Sequence, residues 1–137
     1  MTKTRLLPVV AAALTDPIGR VLVQQRPAGK HHAGLWEFPG GKIEPEETPE
    51  AALVRELEEE LGIATDAADL IPIAFASQPH GERRLVLLLY RCSSWRGAPR
   101  ALEGGALAWH RPETLTKLPM PPADRDLLAA FTRRGAA

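Results

Sequence analysis

Between Gly41 and Ile63 the chain reads GKIEPEETPEAALVRELEEELGI, and the stretch from Thr48 to Leu61 within it can hardly fold as anything but a helix. It contains no glycine. Its single proline, Pro49, falls in the first turn, where a missing N–H costs nothing, and Thr48 just before it can cap the helix. At about 100° per residue, Leu53, Val54, Leu57 and Leu61 fall on one side and Ala52, Glu56, Glu59 and Glu60 on the other. The apolar side demands a sheet or a second helix to lie against. The acidic side demands a different explanation, because carboxylates three and four residues apart repel one another.

The same run fits a stricter pattern, G-x5-E-x7-R-E-U-x-E-E-x-G-U with U apolar, whose places are held by Gly41, Glu47, Arg55, Glu56, Leu57, Glu59, Glu60, Gly62 and Ile63. At background frequencies a chance match at one start position is on the order of one in a billion. A solvated acidic face would account for the glutamates, but not for Gly41, Arg55 or Gly62. Grouped carboxylates are hard oxygen ligands suited to Mg²⁺ or Mn²⁺, and Arg55 partly offsets their charge. With these residues the chain resembles the Nudix hydrolases.

The 137 residues, 45% of them apolar, suffice for one aliphatic-rich core, so a single domain over 1–137 is expected. Seventeen basic and seventeen acidic residues cancel, which argues against a nucleic-acid or membrane surface and for a small soluble ligand. Cys92 stands alone, which excludes an internal disulfide and fits a reducing, cytoplasmic setting. Lys3 and Arg5 ahead of LLPVVAAAL imitate a secretory signal. The same residues read as a buried strand, Leu7 to Leu14, leading through the turn Asp16-Pro17-Ile18-Gly19 into a second strand, Arg20 to Gln25, so cleavage would remove a core element. No stretch reaches membrane-spanning length.

A polar loop, Pro27 to Gly34, then leads into a short strand over Leu35 to Phe38 and a turn at Pro39-Gly40-Gly41. Beyond the helix, strands are expected at Ile71 to Ser77 and Arg84 to Cys92, separated by a turn at Pro79-His80-Gly81, and at Ala106 to Trp109. A closing helix is expected from about Pro122 to Arg134, with Leu127, Leu128 and Phe131 inward. Strands interleaved with two helices indicate an α/β layered domain around a mixed sheet. The Nudix resemblance sharpens this to an α/β/α sandwich.

By that resemblance, Glu56, Glu59 and Glu60 are metal ligands, helped by the Gly40 carbonyl, while Glu47 and Arg55 hold the loop and orient the carboxylates. The family cleaves a nucleoside diphosphate joined to another group, with a divalent cation that neutralises phosphate charge and lowers the pKa of the attacking water. The likeness extends toward the MutT-type nucleoside triphosphate pyrophosphohydrolases through QQRP at 24–27, GLWEFPGGKIE at 34–44 and MPPAD at 120–124. It implies phosphate binding by Arg26, and places His31 and Arg83 near the nucleotide. Both histidines, His31 and His32, read equally as exposed loop residues. Glu103 matches a loop glutamate that approaches the metals and serves as the base, although it also reads as an ordinary surface residue.

The implied reaction is attack of water on the β-phosphorus of a (deoxy)nucleoside triphosphate such as 8-oxo-dGTP, giving the monophosphate and pyrophosphate in nucleotide pool sanitisation linked to DNA repair. Where MutT uses an asparagine to read the base this chain has Asp124, which when ionised only accepts hydrogen bonds. That favours a base showing donors, such as cytosine. PPADRDLLAAF also resembles the CTP pyrophosphohydrolase branch, which accepts CTP, dCTP or 5-methyl-dCTP. Asp124 could equally cap the last helix. Phe38, Leu85 and Trp36 are pocket-wall candidates that core packing explains as well. The other readings are a nucleotide-sensing Nudix domain without catalysis and a hydrolase of RNA 5′ ends. The chain is expected to act as a monomer or homodimer.

Overall fold

The computed structural model describes residues 3–134. Its centre is β1 (Arg5–Leu14), which runs beside β6 (Arg83–Cys92) in parallel from Arg5 opposite Arg83 to Leu14 opposite Cys92. On the other side of β1 lies β4 (Gly40–Lys42), antiparallel, with Ala11 opposite Gly40, and β5 (Ile71–His80) closes the far edge against β6. The sheet order is thus β4-β1-β6-β5, a mixed sheet. A second, antiparallel sheet orders β3 (Trp36–Glu37), β2 (Val21–Gln25) and β7 (Leu107–His110).

Because β1 is central, both its faces are buried from Val10 to Leu14, and alternate residues of this continuous apolar run serve two cores. Val10, Ala12 and Leu14 pack with Leu53, Leu57 and Leu61 of α1 (Pro49–Leu61). Ala11 and Ala13 belong instead with Leu127, Leu128 and Phe131 of α3 (Pro122–Arg133). One helix therefore covers each face, the α/β/α layering expected from the resemblance.

Helix α1 begins and ends where its sequence says it should. The Thr48 hydroxyl accepts from the Ala51 N–H at 3.1 Å, Pro49 occupies the first turn, and Gly62 takes the left-handed conformation at φ +71°, its N–H donating to the Glu58 carbonyl.

Several boundaries differ from the sequence reading. The turn expected at Pro39-Gly40-Gly41 is in part a strand, since Gly40 and Gly41 pair with β1; glycine weakens a strand pattern on paper but permits this close backbone approach. Strand β5 continues through Pro79 and His80, and the turn falls at Gly81-Glu82. A short helix α2 (Pro112–Leu115) and a 3-10 turn at Ala67–Asp69 were not anticipated; each is a single turn, too short to show periodicity. No helix among the described residues is long and apolar enough to cross a membrane.

Candidate active site

Two neighbours of β1 meet at the site. Strand β4 presents Gly40 and Gly41 to the underside of α1, and the absence of a side chain at Gly41 leaves the room that the Glu56 carboxylate occupies, so a Cβ there would overlap its carbon and both oxygens. One turn further along α1, Glu60 points inward, only 6% exposed. Its Oε1 accepts from the Gly40 N–H at 3.1 Å, and the Gln24 amide of β2 donates to Oε2 at 3.0 Å and Oε1 at 3.3 Å.

Arg55 organises the opposite flank. Its Nε and Nη2 form a bidentate pair with Glu47 at 2.7 and 2.8 Å, Nη2 also donates to the Lys42 carbonyl, and Nη1 donates to Glu56 at 2.9 Å and Glu59 at 3.3 Å. The Glu47 carboxylate also accepts from the Glu44 N–H, which closes the loop after β4.

The side of α1 opposite its apolar stripe is divided. Ala52 and Glu60 are buried and Glu59 is not, because β2 and β4 wrap further around α1 than its apolar stripe alone implies. Glu59, with a side chain 53% exposed, stands outside the cavity and is held by Arg55. Among the described residues no three acidic, imidazole or thiol side chains stand close enough together to hold an ion as they are placed. Arg55 draws Glu56 and Glu59 one way, while Gln24 and Gly40 hold Glu60 the other.

The electrostatics follow from this geometry. Burial pushes the Glu60 carboxyl up to about 8, against the Gln24 and Gly40 hydrogen bonds, and the charges of Glu56 and Glu103 add to it. Burial also raises Glu56, against its Arg55 hydrogen bond. Glu47 goes the other way, down to about 2, because Arg55 binds its ionised form.

Glu56, Glu60 and Gly40 line a cavity of about 230 Å³ together with Glu103 and Gly104 of the loop before β7, Arg26 and Lys30 of the segment after β2, and Glu37 of β3. Acidic groups and two cations thus share one space. Arg26 is tied down, its Nε donating to the His31 carbonyl at 3.1 Å and its Nη1 lying 3.5 Å from Glu37. Burial raises the Glu37 carboxyl, against the charge of Arg26.

Not every residue chosen from the sequence converges there. His31 is exposed on its loop with its ring 3.9 Å from that of His32, and Arg83 is exposed at the start of β6. Phe38, 3% exposed, is part of the core. Asp124, 5% exposed, lies in the first turn of α3, where the helix has no side-chain cap; its Oδ2 instead accepts from the Phe38 N–H at 3.1 Å. Besides any capping within α3, Asp124 thus bonds the helix to the segment joining β3 to β4. Gln24, Lys30 and Glu37 also line the cavity and were not singled out. For Gln24 a signal existed, a polar pair closing the apolar strand VLVQQ.

Burial, helped by the nearby charge of Glu37 and opposed by the Phe38 N–H, pushes Asp124 up to about 7. An unfolded Asp near 3.8 would release a proton that the folded protein keeps, so between about pH 4 and 7 stability falls as pH rises. Urea midpoints at pH 4.5 and 7.5 should show this slope in the native protein and a smaller one in Asp124→Asn; an identical slope would mean that Asp124 is ionised throughout.

The profile of the NUDIX domain matches residues 5–131. The CTP pyrophosphohydrolase of Escherichia coli K12 is 41% identical over 128 residues, which make up 93% of each chain. The 8-oxo-dGTP diphosphatase of Proteus vulgaris is 34% identical over 80% of this chain and 96% of its own. The solution structure of the E. coli ORF135 protein superposes with a TM-score of 0.86 at 40% identity, covering 97% of this chain and 94% of that one.

Proposed function

We propose, because this chain belongs to the Nudix family, that it hydrolyses a (deoxy)nucleoside 5′-triphosphate to the monophosphate and pyrophosphate, acting as a single cytoplasmic domain. It is a hydrolase of phosphoric anhydrides, the chemistry its relatives' names share. The observation that carries the substrate class is the shared cavity, lined by Glu56, Glu60, Glu103 and the Gly40 backbone and also by Arg26 and Lys30. That is the combination a metal-bound polyphosphate requires: hard oxygen donors for the ion and cations for the outer phosphates.

A divalent cation, for which we propose Mg²⁺ with Mn²⁺ as substitute, fits these residues because Glu60 is a buried carboxylate with no ion-pair partner among the described residues. Glu56, Glu59, Glu60, Glu103 and the Gly40 carbonyl would hold it. Bound there, it neutralises phosphate charge and acidifies the attacking water. Arg55 and Glu47 orient Glu56 and Glu59. Glu103, at the cavity mouth, accepts the proton of the water. Oxygen from water joins the β-phosphorus, the bond from that phosphorus to the α,β-bridging oxygen breaks, and the monophosphate leaves. Turnover in ¹⁸O-water should label pyrophosphate alone; label in the monophosphate, or release of orthophosphate first, overturns the reaction.

Two substrates follow from the relatives, an oxidised nucleotide such as 8-oxo-dGTP and, as the second reading, CTP, dCTP or 5-methyl-dCTP. The acceptor-only carboxylate of Asp124 favours the second when ionised. Arg26, His31, Phe38, Arg83 and Asp124 are proposed around the nucleotide, His31 and Arg83 by movement of exposed side chains. Comparing kcat/KM for 8-oxo-dGTP, dGTP, dCTP, CTP and 5-methyl-dCTP in native protein and Asp124→Asn tests this. A changed ranking assigns Asp124 to the base; an unchanged one leaves it as the anchor of the Phe38 N–H. A purely nucleotide-sensing role is disfavoured, since binding alone gives no reason to bury Glu60 beside Glu56 and Glu103.

A further inference from the structure

We infer that Gln24 is a positioning residue for Glu60, restricting how that carboxylate meets a divalent cation; the inference rests on the reading of the cavity given above. Gln24 lies in register between Glu37 of β3 and Leu107 of β7, and its side chain reaches under α1. There it meets a carboxylate that no cation among the described residues serves, because Arg55 is engaged with Glu47, Glu56 and Glu59.

A neutral donor at this place has two effects that a guanidinium would not combine. It hydrogen-bonds the ionised form of a buried carboxylate, and it leaves the full negative charge for an incoming ion. It also consumes lone pairs. A carboxylate offers about four acceptor positions, of which Gln24 and Gly40 together occupy up to two on Oε1 and one on Oε2. Glu60 is thereby limited to one oxygen toward an ion. Such a carboxylate suits a small octahedral cation that takes single oxygens, and suits Ca²⁺, which takes carboxylates through both oxygens, less well.

Gln24→Met keeps the length and the unbranched stem and removes the amide. In the full-length protein, Mn²⁺ binding followed by electron paramagnetic resonance should weaken by about tenfold or more, the scale seen when the support of a metal ligand is lost. The ratio of Ca²⁺ to Mn²⁺ affinity should rise, and kcat should recover at saturating metal, because the defect lies in occupancy. Melting without metal checks folding; if the Met variant is unfolded, Gln24→Asn, whose amide is one methylene short, should give an intermediate affinity. Glu60→Gln is the reference. If it weakens Mn²⁺ binding while the folded Gln24 variant binds as native, Gln24 is not a positioning residue and the wider reading stands. If native protein shows no Glu60-dependent Mn²⁺ site, both fall.

Discussion

Glu56→Gln should hydrolyse nucleoside triphosphates about a thousandfold more slowly than the native protein while melting within a few degrees of it. The magnitude follows from the role. The divalent cation that Glu56 would hold supplies several kcal/mol of charge stabilisation, and each 1.4 kcal/mol is tenfold in rate. The geometry singles out this glutamate, since it alone among the three helix acids both lines the cavity and accepts from Arg55. Glutamine preserves shape and an acceptor for that guanidinium, so folding should survive. Glu59→Gln, exposed and outside the cavity, should cost less, on the order of tenfold to a hundredfold. Equal rates for native protein and Glu56→Gln under saturating Mg²⁺ would remove the glutamate from the chemistry.

Gly40→Ala should instead lower stability, by about 3 kcal/mol, with a fall in melting temperature of roughly 10 °C. At φ +158° in β4, a Cβ would overlap the Val10 carbonyl and approach the Ala11 Cα of the facing strand. Both are backbone atoms of the central strand, which cannot give way as a side-chain tip can. The same displacement would carry the Gly40 N–H away from Glu60, so activity should fall even below the melting transition. Gly41→Ala makes the contrast. The atoms nearest its added methyl are the end of the Glu56 side chain, so it should impair turnover far more than it lowers melting. Circular dichroism melts and initial rates on the two variants check both expectations; a native-like melt for Gly40→Ala would show that β4 can retreat from β1.

Much of this architecture is written locally in the chain. Thr48, Pro49 and Gly62 determine the ends of α1 through short-range chemistry, and the continuous apolar run at the end of β1 marks a strand buried on both faces. The nine positions of the glycine, arginine and glutamate pattern identify the family because so few arrangements satisfy them together. What stayed hidden was non-local. That Glu60 turns inward depends on Gln24, which is 36 residues away, and on a strand pairing of Gly40 that two adjacent glycines disguise as a turn. Asp124 was legible as unusual, but not its bond to Phe38, which links segments 86 residues apart. A helix wheel assigns faces from one element alone; burial depends on how far its neighbours reach around it.

The two halves of the cavity are suspended differently, and that separates what can change over time. The acids sit on a helix clamped by Arg55 to the β4 strand and its following loop, so an altered residue there disturbs several bonds together. The loop from Pro27 to Gly34 is held within its own segment, by the side-chain bonds of Arg26 to His31 and Gln25 to Gly34 and by backbone bonds that join Arg26 to Gly34 and Leu35 at its base. If the proposed reading of the cavity holds, insertions or exchanges within that loop retune which nucleotide is accepted while the bond-breaking apparatus is inherited intact, a division of labour through which one scaffold diversifies its diet.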